Sequence, residues 1–432
     1  MWTCARRGYS SVANGVASVN AMKSPAIREL QQLAGSDLQY SFPTPRQLKA
    51  HLDKYIIGQD HCKKVLSVAV FNHYIRVQDA SKENSSTLLG APVLHKKSDT
   101  GVELEKSNIL LFGPTGSGKT LAATIMARVL QVPIVIQDCT SLTQAGYVGE
   151  DVESCILKLL AKADYDVNLC QRGIVVLDEL DKLAKPQVYA GTKDIGGEGV
   201  QQALLKLVEG TSVSVQAKKS NHVENTGLGG GTTEYTVDTS TILFIGMGAF
   251  TGLDKIIKKR LGRKKEADVL SKAQPSDLEQ YGLIPELVGR MPVFSSLKQL
   301  EVDDLERILV EPQNSIVRQY EYSFAKSGVR LAFTRSAVRK IAETALKNGT
   351  GARGLRGVLE KVLLAANYEC PGSGISFVLV DKEVMDMDEI TPKYFARGDI
   401  FRFLEQVGKE DEQLRGMLSD EYGIPKFESI KI

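Results

Sequence analysis

Gly113-Pro114-Thr115-Gly116-Ser117-Gly118-Lys119-Thr120 constrains this chain more than any other stretch. It follows the apolar run Ile109-Leu110-Leu111-Phe112 and opens an amphipathic segment from Lys119 to about Leu130. A buried strand, a glycine-rich turn and a helix, in that order, make a phosphate cradle. Backbone N–H groups close round the anionic oxygens, and the helix N-terminus adds its dipole. Lys119 is placed to reach the β- and γ-phosphates, and the Thr120 hydroxyl to ligate Mg²⁺.

The surrounding sequence continues the alternation. Pro133 to Ile136 reads as a strand, Val152 to Ala163 as a helix, and Gly173 to Leu177 as a short strand that ends in Asp178-Glu179. Val200, Leu204, Leu207 and Val208 give one helical face, and Thr241 to Ile245 is a further strand. Purely apolar strands alternating with helices imply an α/β fold with a parallel sheet covered on both faces. Carboxylates at the C-terminal end of such a strand face the crevice where ligands bind. Asp178 is expected to hold the Mg²⁺ shell through water, and Glu179 to orient and deprotonate an attacking water. That pair favours ATP hydrolysis over phosphotransfer to a small molecule. No Asn-Lys-x-Asp string that would read guanine is present.

The chain divides at about residue 297. Residues 43–297 read as the large α/β domain, with helices over 46–54 and 63–77 and mobile insertions at 80–107 and 218–240. Residues 298–400 read as a smaller, mostly helical α+β domain: helices over 302–310, 314–326, 336–346 and 352–368, and one strand over 376–380. Residues 401–432 are a charged C-terminal segment, dense from Glu405 to Glu412, read as a loose tail.

Composition excludes several classes. Lys and Arg total 54 against 52 Asp and Glu, a balance that gives no electrostatic case for a nucleic-acid partner. No uncharged apolar run is long enough for a transmembrane segment. The cysteines at 4, 62, 139, 155, 170 and 370 form no Cys-x-x-Cys pair and read as reduced, buried thiols. Residues 1–28 contain no acid but carry Arg6, Arg7, Lys23, Arg28 and several serines, so residues 1–40 read as a mitochondrial presequence with a flexible N-terminus.

Further strings converge on one family. They are Tyr55-Ile56-Ile57-Gly58-Gln59, Gly146-Tyr147-Val148-Gly149-Glu150-Asp151, Leu177-Asp178-Glu179-Leu180-Asp181-Lys182, Gly282-Leu283-Ile284-Pro285-Glu286-Leu287-Val288-Gly289-Arg290 and Gly351-Ala352-Arg353-Gly354-Leu355-Arg356. In order and spacing the chain resembles the ClpX-type AAA+ unfoldases from about Pro43 to Asp381, most of all their fungal mitochondrial branch. The resemblance implies an AAA+ P-loop large domain with a small C-terminal domain, and a homohexameric ring that unfolds protein substrates with ATP and Mg²⁺. It implies that Tyr147 and Val148 grip the substrate from a pore loop. Arg290 would be the finger that reaches a neighbour's γ-phosphate, and Arg353 would sense nucleotide within its own subunit. Ile56 and Ile57 would wall the adenine, closed by Leu300. The implied place is the mitochondrial matrix, including its inner-membrane face. One implied client is 5-aminolevulinate synthase, whose pyridoxal phosphate loading serves heme biosynthesis.

The chain departs from the family pattern in the cysteine set of an N-terminal zinc domain and in the Arg-Lys-His pore-entrance string, for which Lys218-Lys219-Ser220-Asn221-His222 is a loose counterpart. Where an aliphatic-Gly-Phe tripeptide would dock a ClpP-type peptidase, only Leu261-Gly262-Arg263 stands, and Arg263 cannot fill an apolar cleft as Phe does. The expectation is therefore a chaperone that works without a peptidase. The alternatives are the regulatory ATPase of a ClpXP-type protease and a DNA-remodelling ATPase, the latter disfavoured by the near-neutral charge.

Overall fold

Two apolar cores lie on opposite faces of one parallel sheet, and the period-two alternation of its strands assigns each residue to a side. The computed structural model describes residues 42–87, 104–143, 150–184, 197–218, 232–262, 268–387 and 391–424. The sheet holds β1 (Ile109–Phe112), β2 (Ile134–Asp138), β3 (Ile174–Asp178), β4 (Leu243–Gly248) and β5 (Val293–Ser296), in the order β2-β3-β4-β1-β5. Every pairing is parallel. Ile109, Leu111, Ile174, Val176, Leu243 and Ile245 enter one core, together with residues of α1 (Pro45–Asp53), α2 (Asp60–Thr87) and α3 (Lys119–Leu130). Leu110, Phe112, Val175, Leu177 and Phe244 enter the other, under α4 (Ser154–Lys162) and α5 (Gly197–Glu209). Burial on both faces explains why these strands read as unbroken apolar runs. The register pairs Phe112 with both Gly248 and Ser296, and Asp138 with Asp178, so the C-terminal strand ends meet along one edge.

Three shorter helices finish the large domain: α6 (Leu253–Leu261), α7 (Pro275–Tyr281) and α8 (Pro285–Gly289). Parts of both segments expected as mobile insertions form regular structure. α2 runs on to Thr87 through Ala80, Lys82 and Glu83, which are good helix formers. Ser212–Lys218 and Thr232–Asp238 pair as an antiparallel ribbon, and Val213, Val215 and Val237 at its base enter the core. The remaining stretches of the two insertions, 88–103 and 219–231, lie outside the described residues. Cys62, Cys139, Cys155, Cys170 and Cys370 are free and buried.

The small domain holds α9 (Val302–Val310), α10 (Ile316–Lys326), α11 (Arg335–Lys347) and α12 (Ala352–Glu369). Where one strand was expected there are three: β6 (Arg330–Phe333), β7 (Ile375–Val380) and β8 (Lys393–Ala396). Residues 401–421, expected as part of a loose tail, are helical. The helices are α13 (Ile400–Glu410) and α14 (Glu412–Glu421), whose Phe403, Leu404, Val407 and Leu418 bury against Ala332, Phe377 and Leu379 of the sheet. Leu331, Phe333, Val378 and Val380 face the opposite core, with α9 to α12. Glu410 anchors α13 by accepting hydrogen bonds from Thr334 Oγ1 (2.9 Å), Ser336 Oγ and the Lys382 amide (3.2 Å).

Candidate active site

The loop after β1 curls back under its own lysine. Lys119 Nζ donates to the carbonyls of Gly113 (2.6 Å) and Pro114 (2.9 Å). Burial chiefly holds its pKa below the ordinary lysine value, and nearby Arg353 acts the same way, while Asp178 and Asp181 oppose the shift. Ser117 Oγ is buried without a hydrogen-bond partner. Thr120 Oγ1 donates to Asp178 Oδ2 at 3.4 Å, which joins the helix start to the end of β3. The other oxygen, Asp178 Oδ1, accepts from the Glu179 amide at 3.0 Å. Glu179 is exposed and sits at φ +55°, a left-handed conformation that costs a non-glycine residue roughly 1–2 kcal/mol. The turn stands directly after β3, at the sheet's C-terminal edge.

A cleft of about 1130 Å³ opens beside the loop. Pro114 to Ser117 line one side, Phe250 and Val269 another, and Lys298 and Leu300 of the interdomain linker a third. The small domain adds Val302, Leu346 and Gly351 to the lining and meets the loop through bare backbone. A Cβ on Gly116 would stand 2.7 Å from the Thr350 carbonyl oxygen, and one on Gly351 would stand 2.9 Å from that of Thr115. The Ala352 amide donates to the Gly116 carbonyl at 3.3 Å. That contact sets Arg353, exposed in the first turn of α12, close enough to Lys119 to act on it electrostatically.

Not every expected site residue joins this cluster. Leu300 lines the cleft, whereas Ile56 and Ile57 are buried and do not line it; Ile56 packs in the core that contains Leu297. Arg290 caps α8 and is paired with Glu209, its Nε and Nη2 both 2.9 Å from Glu209 Oε1, and it does not line the cleft of its own chain. Tyr147 and Val148 lie outside the described residues. The short strands Leu142–Thr143 and Glu150–Asp151 that flank them pair in parallel. Leu261 ends α6 and packs against the core; Arg263 lies outside the described residues.

Two polar residues that the motifs contain but the sequence reading left without a role organise the cleft. Asp181 is buried and accepts from the amides of Ala249 and Phe250, each at 3.3 Å, which ties the turn after β3 to the turn after β4. Gln59 makes a two-way clamp on Lys298: its Nε2 donates to the Lys298 carbonyl (2.9 Å), and its Oε1 accepts from the Lys298 amide (2.8 Å). Nearby, the Gln313 amide donates to the Lys54 carbonyl at 2.9 Å. The segment 54–59 therefore holds both the linker and the small domain.

Residues 104–294 match the AAA domain (Cdc48 subfamily), and residues 300–369 match the C-terminal, D2-small domain of ClpB protein. The ATP-dependent clpX-like chaperone, mitochondrial, of Saccharomyces cerevisiae is 42% identical, over 91% of this chain and 92% of its own length. The chain belongs to the ClpX-type AAA+ family. Bacterial ClpX proteins agree: an ATP-dependent Clp protease ATP-binding subunit ClpX 3 from Methylococcus capsulatus is 45% identical over 81% of this chain and 82% of its own length. A ClpX from Borrelia duttonii is 46% identical over 84% and 83%. As a ClpX-type protein the chain is an ATPase of the Clp unfoldase class, with the AAA+ large and small domains described above. Among the described residues no helix is long and apolar enough to cross a membrane.

Proposed function

We propose that this chain is the ATP-hydrolysing subunit of a homohexameric ring that unfolds or remodels protein clients inside mitochondria, without a peptidase. The observation that carries the reading is the meeting of Lys119, Thr120 and Asp178 at the strand ends, with exposed Glu179 next in the chain and its amide bonded to Asp178. The glycine-lined loop, the Lys119 ammonium and the orphaned Ser117 hydroxyl suit a polyphosphate, and the Thr120–Asp178 pair suits a hydrated divalent cation. Mg²⁺, when bound, supplies charge neutralisation across the β- and γ-phosphate oxygens. Lys119 exchanges its loop carbonyls for the phosphates, and Leu300 offers an apolar wall to the base. Glu179 accepts a proton from the attacking water, a role that its exposure at the strand end permits.

Arg290, outside its own cleft, serves the site of the adjoining subunit, where a planar cationic fork stabilises developing γ-phosphate charge. Arg353 couples nucleotide state to the small domain. Tyr147 and Val148 act on the substrate. The name of the yeast relative supports a mitochondrial setting and the chaperone role. Peptidase independence rests on the Leu261-Gly262-Arg263 segment, whose Leu261 is engaged with the core rather than presented for docking. A client such as 5-aminolevulinate synthase fits this setting.

The test pairs two variants on a stable fluorescent client. Glu179→Gln should bind ATP but lose hydrolysis by about two or more orders of magnitude, the scale for removing a general base. Tyr147→Ala should hydrolyse ATP and fail to unfold. Normal turnover by Glu179→Gln would refute the site assignment. ATP-dependent peptide release on addition of a ClpP-type peptidase would favour the protease-subunit reading.

A further inference from the structure

We propose that Glu209 is the positioning residue for Arg290, holding the guanidinium by one edge so that its other end is presented to the neighbouring subunit. The proposal rests on the reading of Arg290 as a finger that acts on the adjoining nucleotide site.

The geometry begins one residue before β1. Asn108 is 1% exposed, and its side-chain amide reaches three elements at once. Nδ2 donates to the Arg290 carbonyl (2.9 Å) and to the Val208 carbonyl (3.2 Å), and Oδ1 accepts from the Phe244 amide (3.2 Å). The backbone of Arg290 and the last turn of α5 are therefore pinned to a single buried group. Glu209 follows Val208 directly and is the last residue of α5. Both members of the ion pair leave the same anchor, so their mutual register does not depend on loop conformation.

The pair itself is one-sided. Nε and Nη2 of Arg290 both approach the same oxygen, Glu209 Oε1, at 2.9 Å. The carboxylate thus takes the Nε–Nη2 edge, while the side chain stays 58% exposed and the Nη1 end is left for an anionic oxygen. An exposed ion pair of this kind contributes little to folding. Its value lies in orientation. A long, unrestrained arginine would lose rotamer freedom each time it engaged a γ-phosphate, whereas one already held by its edge loses less.

The experiment compares full-length, assembled rings of Glu209→Ala, Glu209→Gln and Arg290→Ala in steady-state ATP hydrolysis, with thermal unfolding as a control. Glu209→Ala should lower kcat about tenfold with KM moved by less than about twofold, the pattern of a lost transition-state contact. Glu209→Gln, whose amide oxygen can still accept the Nε hydrogen bond but carries no charge, should fall between it and the parent. Thermal stability should not change. Each variant is then mixed with an excess of Glu179→Gln subunits, which do not hydrolyse but carry intact fingers. Turnover per Glu209→Ala subunit should rise toward the parental value, because its neighbours now supply correctly held arginines.

Unchanged or raised kcat in Glu209→Ala, as expected if Glu209 competed with phosphate for the arginine, would overturn the proposal. So would failure of Glu209→Ala to recover on mixing while Arg290→Ala does recover. If Arg290→Ala shows no loss, or no recovery, the finger reading itself falls, and the proposal with it.

Discussion

Removing the Gln59 side chain should loosen the interdomain linker without unfolding either domain. Gln59 lies 239 residues from Lys298 in sequence and makes two hydrogen bonds to its backbone, at 2.9 and 2.8 Å. Each such bond is worth about 0.5–1.5 kcal/mol net, and exposure places this pair at the lower end, so Gln59→Ala should cost about 1–2 kcal/mol. The Gln313–Lys54 backbone bond remains and keeps the domains joined. On the proposed reading of the cleft as the nucleotide site, the loss falls on the interdomain arrangement in which Lys298 and Leu300 line it. A shift of that size lowers apparent nucleotide affinity by about 5–30-fold. Gln59→Glu separates the two bonds: it keeps an acceptor for the Lys298 amide but turns a carboxylate toward the Lys298 carbonyl, and should be no better than alanine. The assay is titration with a fluorescent ATP analogue beside thermal unfolding. Unchanged affinity in both variants would refute the clamp, as would Gln59→Glu that binds like the parent or affinity loss matched by a collapse in melting temperature.

Two further outcomes follow from the structure. Gly351→Ala should weaken ATP hydrolysis while the fold persists, since φ is +58° there and the added methyl would stand 2.9 Å from the Thr115 carbonyl. A cost of about 1–3 kcal/mol for the backbone strain predicts a loss of roughly 5- to 150-fold in kcat/KM, and parental turnover would discount the backbone seal. His73 is buried on α2, and burial chiefly, with Arg76 and Lys106 adding to it, pushes its pKa down to about 3. Its folded pKa lies below the unfolded one, so the unfolded chain binds the extra proton. The associated stability is therefore complete above about pH 6.5 and is lost as pH falls toward 3. Replacing it with Phe should flatten the acid limb of the stability–pH curve by up to about 1.4 kcal/mol per pH unit, read by denaturant unfolding between pH 6 and 4, and an unchanged slope would contradict the assignment.

The parts legible in the sequence were those whose signal is local. β1, the glycine loop and α3 announce themselves in consecutive residues, and β3 with Asp178-Glu179 does so for the same reason. Long-range pairings leave no such trace. Gln59 stands in a recognisable string, yet its partner is the backbone of Lys298, and a backbone partner has no residue identity to read. The Glu209–Arg290 pair spans 81 residues, and the side chain that aligns it, Asn108, looks like an ordinary polar residue before a strand. The C-terminal helices were obscured by composition. Glu405, Lys409, Glu410 and Glu412 dominate the count, while Phe403, Leu404 and Val407 carry the spacing of a helical face. β6 and β8 are only four residues each and depend on β7 between them.

The second core beneath α13 and α14 has a mechanical consequence. A three-stranded sheet covered on one side only can shear and curl under load, because half of its side chains have nothing to push against. Here Phe377 stacks on Phe403 at 4.9 Å between ring centroids on one face, while Val378 and Val380 pack into the helical core on the other. Close-packed interiors compress little and pass strain on. A body clamped between two such cores behaves as a stiff lever, so the work of a hydrolysis cycle is not absorbed as internal bending. The compliance is left to the junction between the domains, where the Gln59 clamp on Lys298, the Gln313–Lys54 backbone bond and the bare-backbone contact of Gly116 with Gly351 form the pivot.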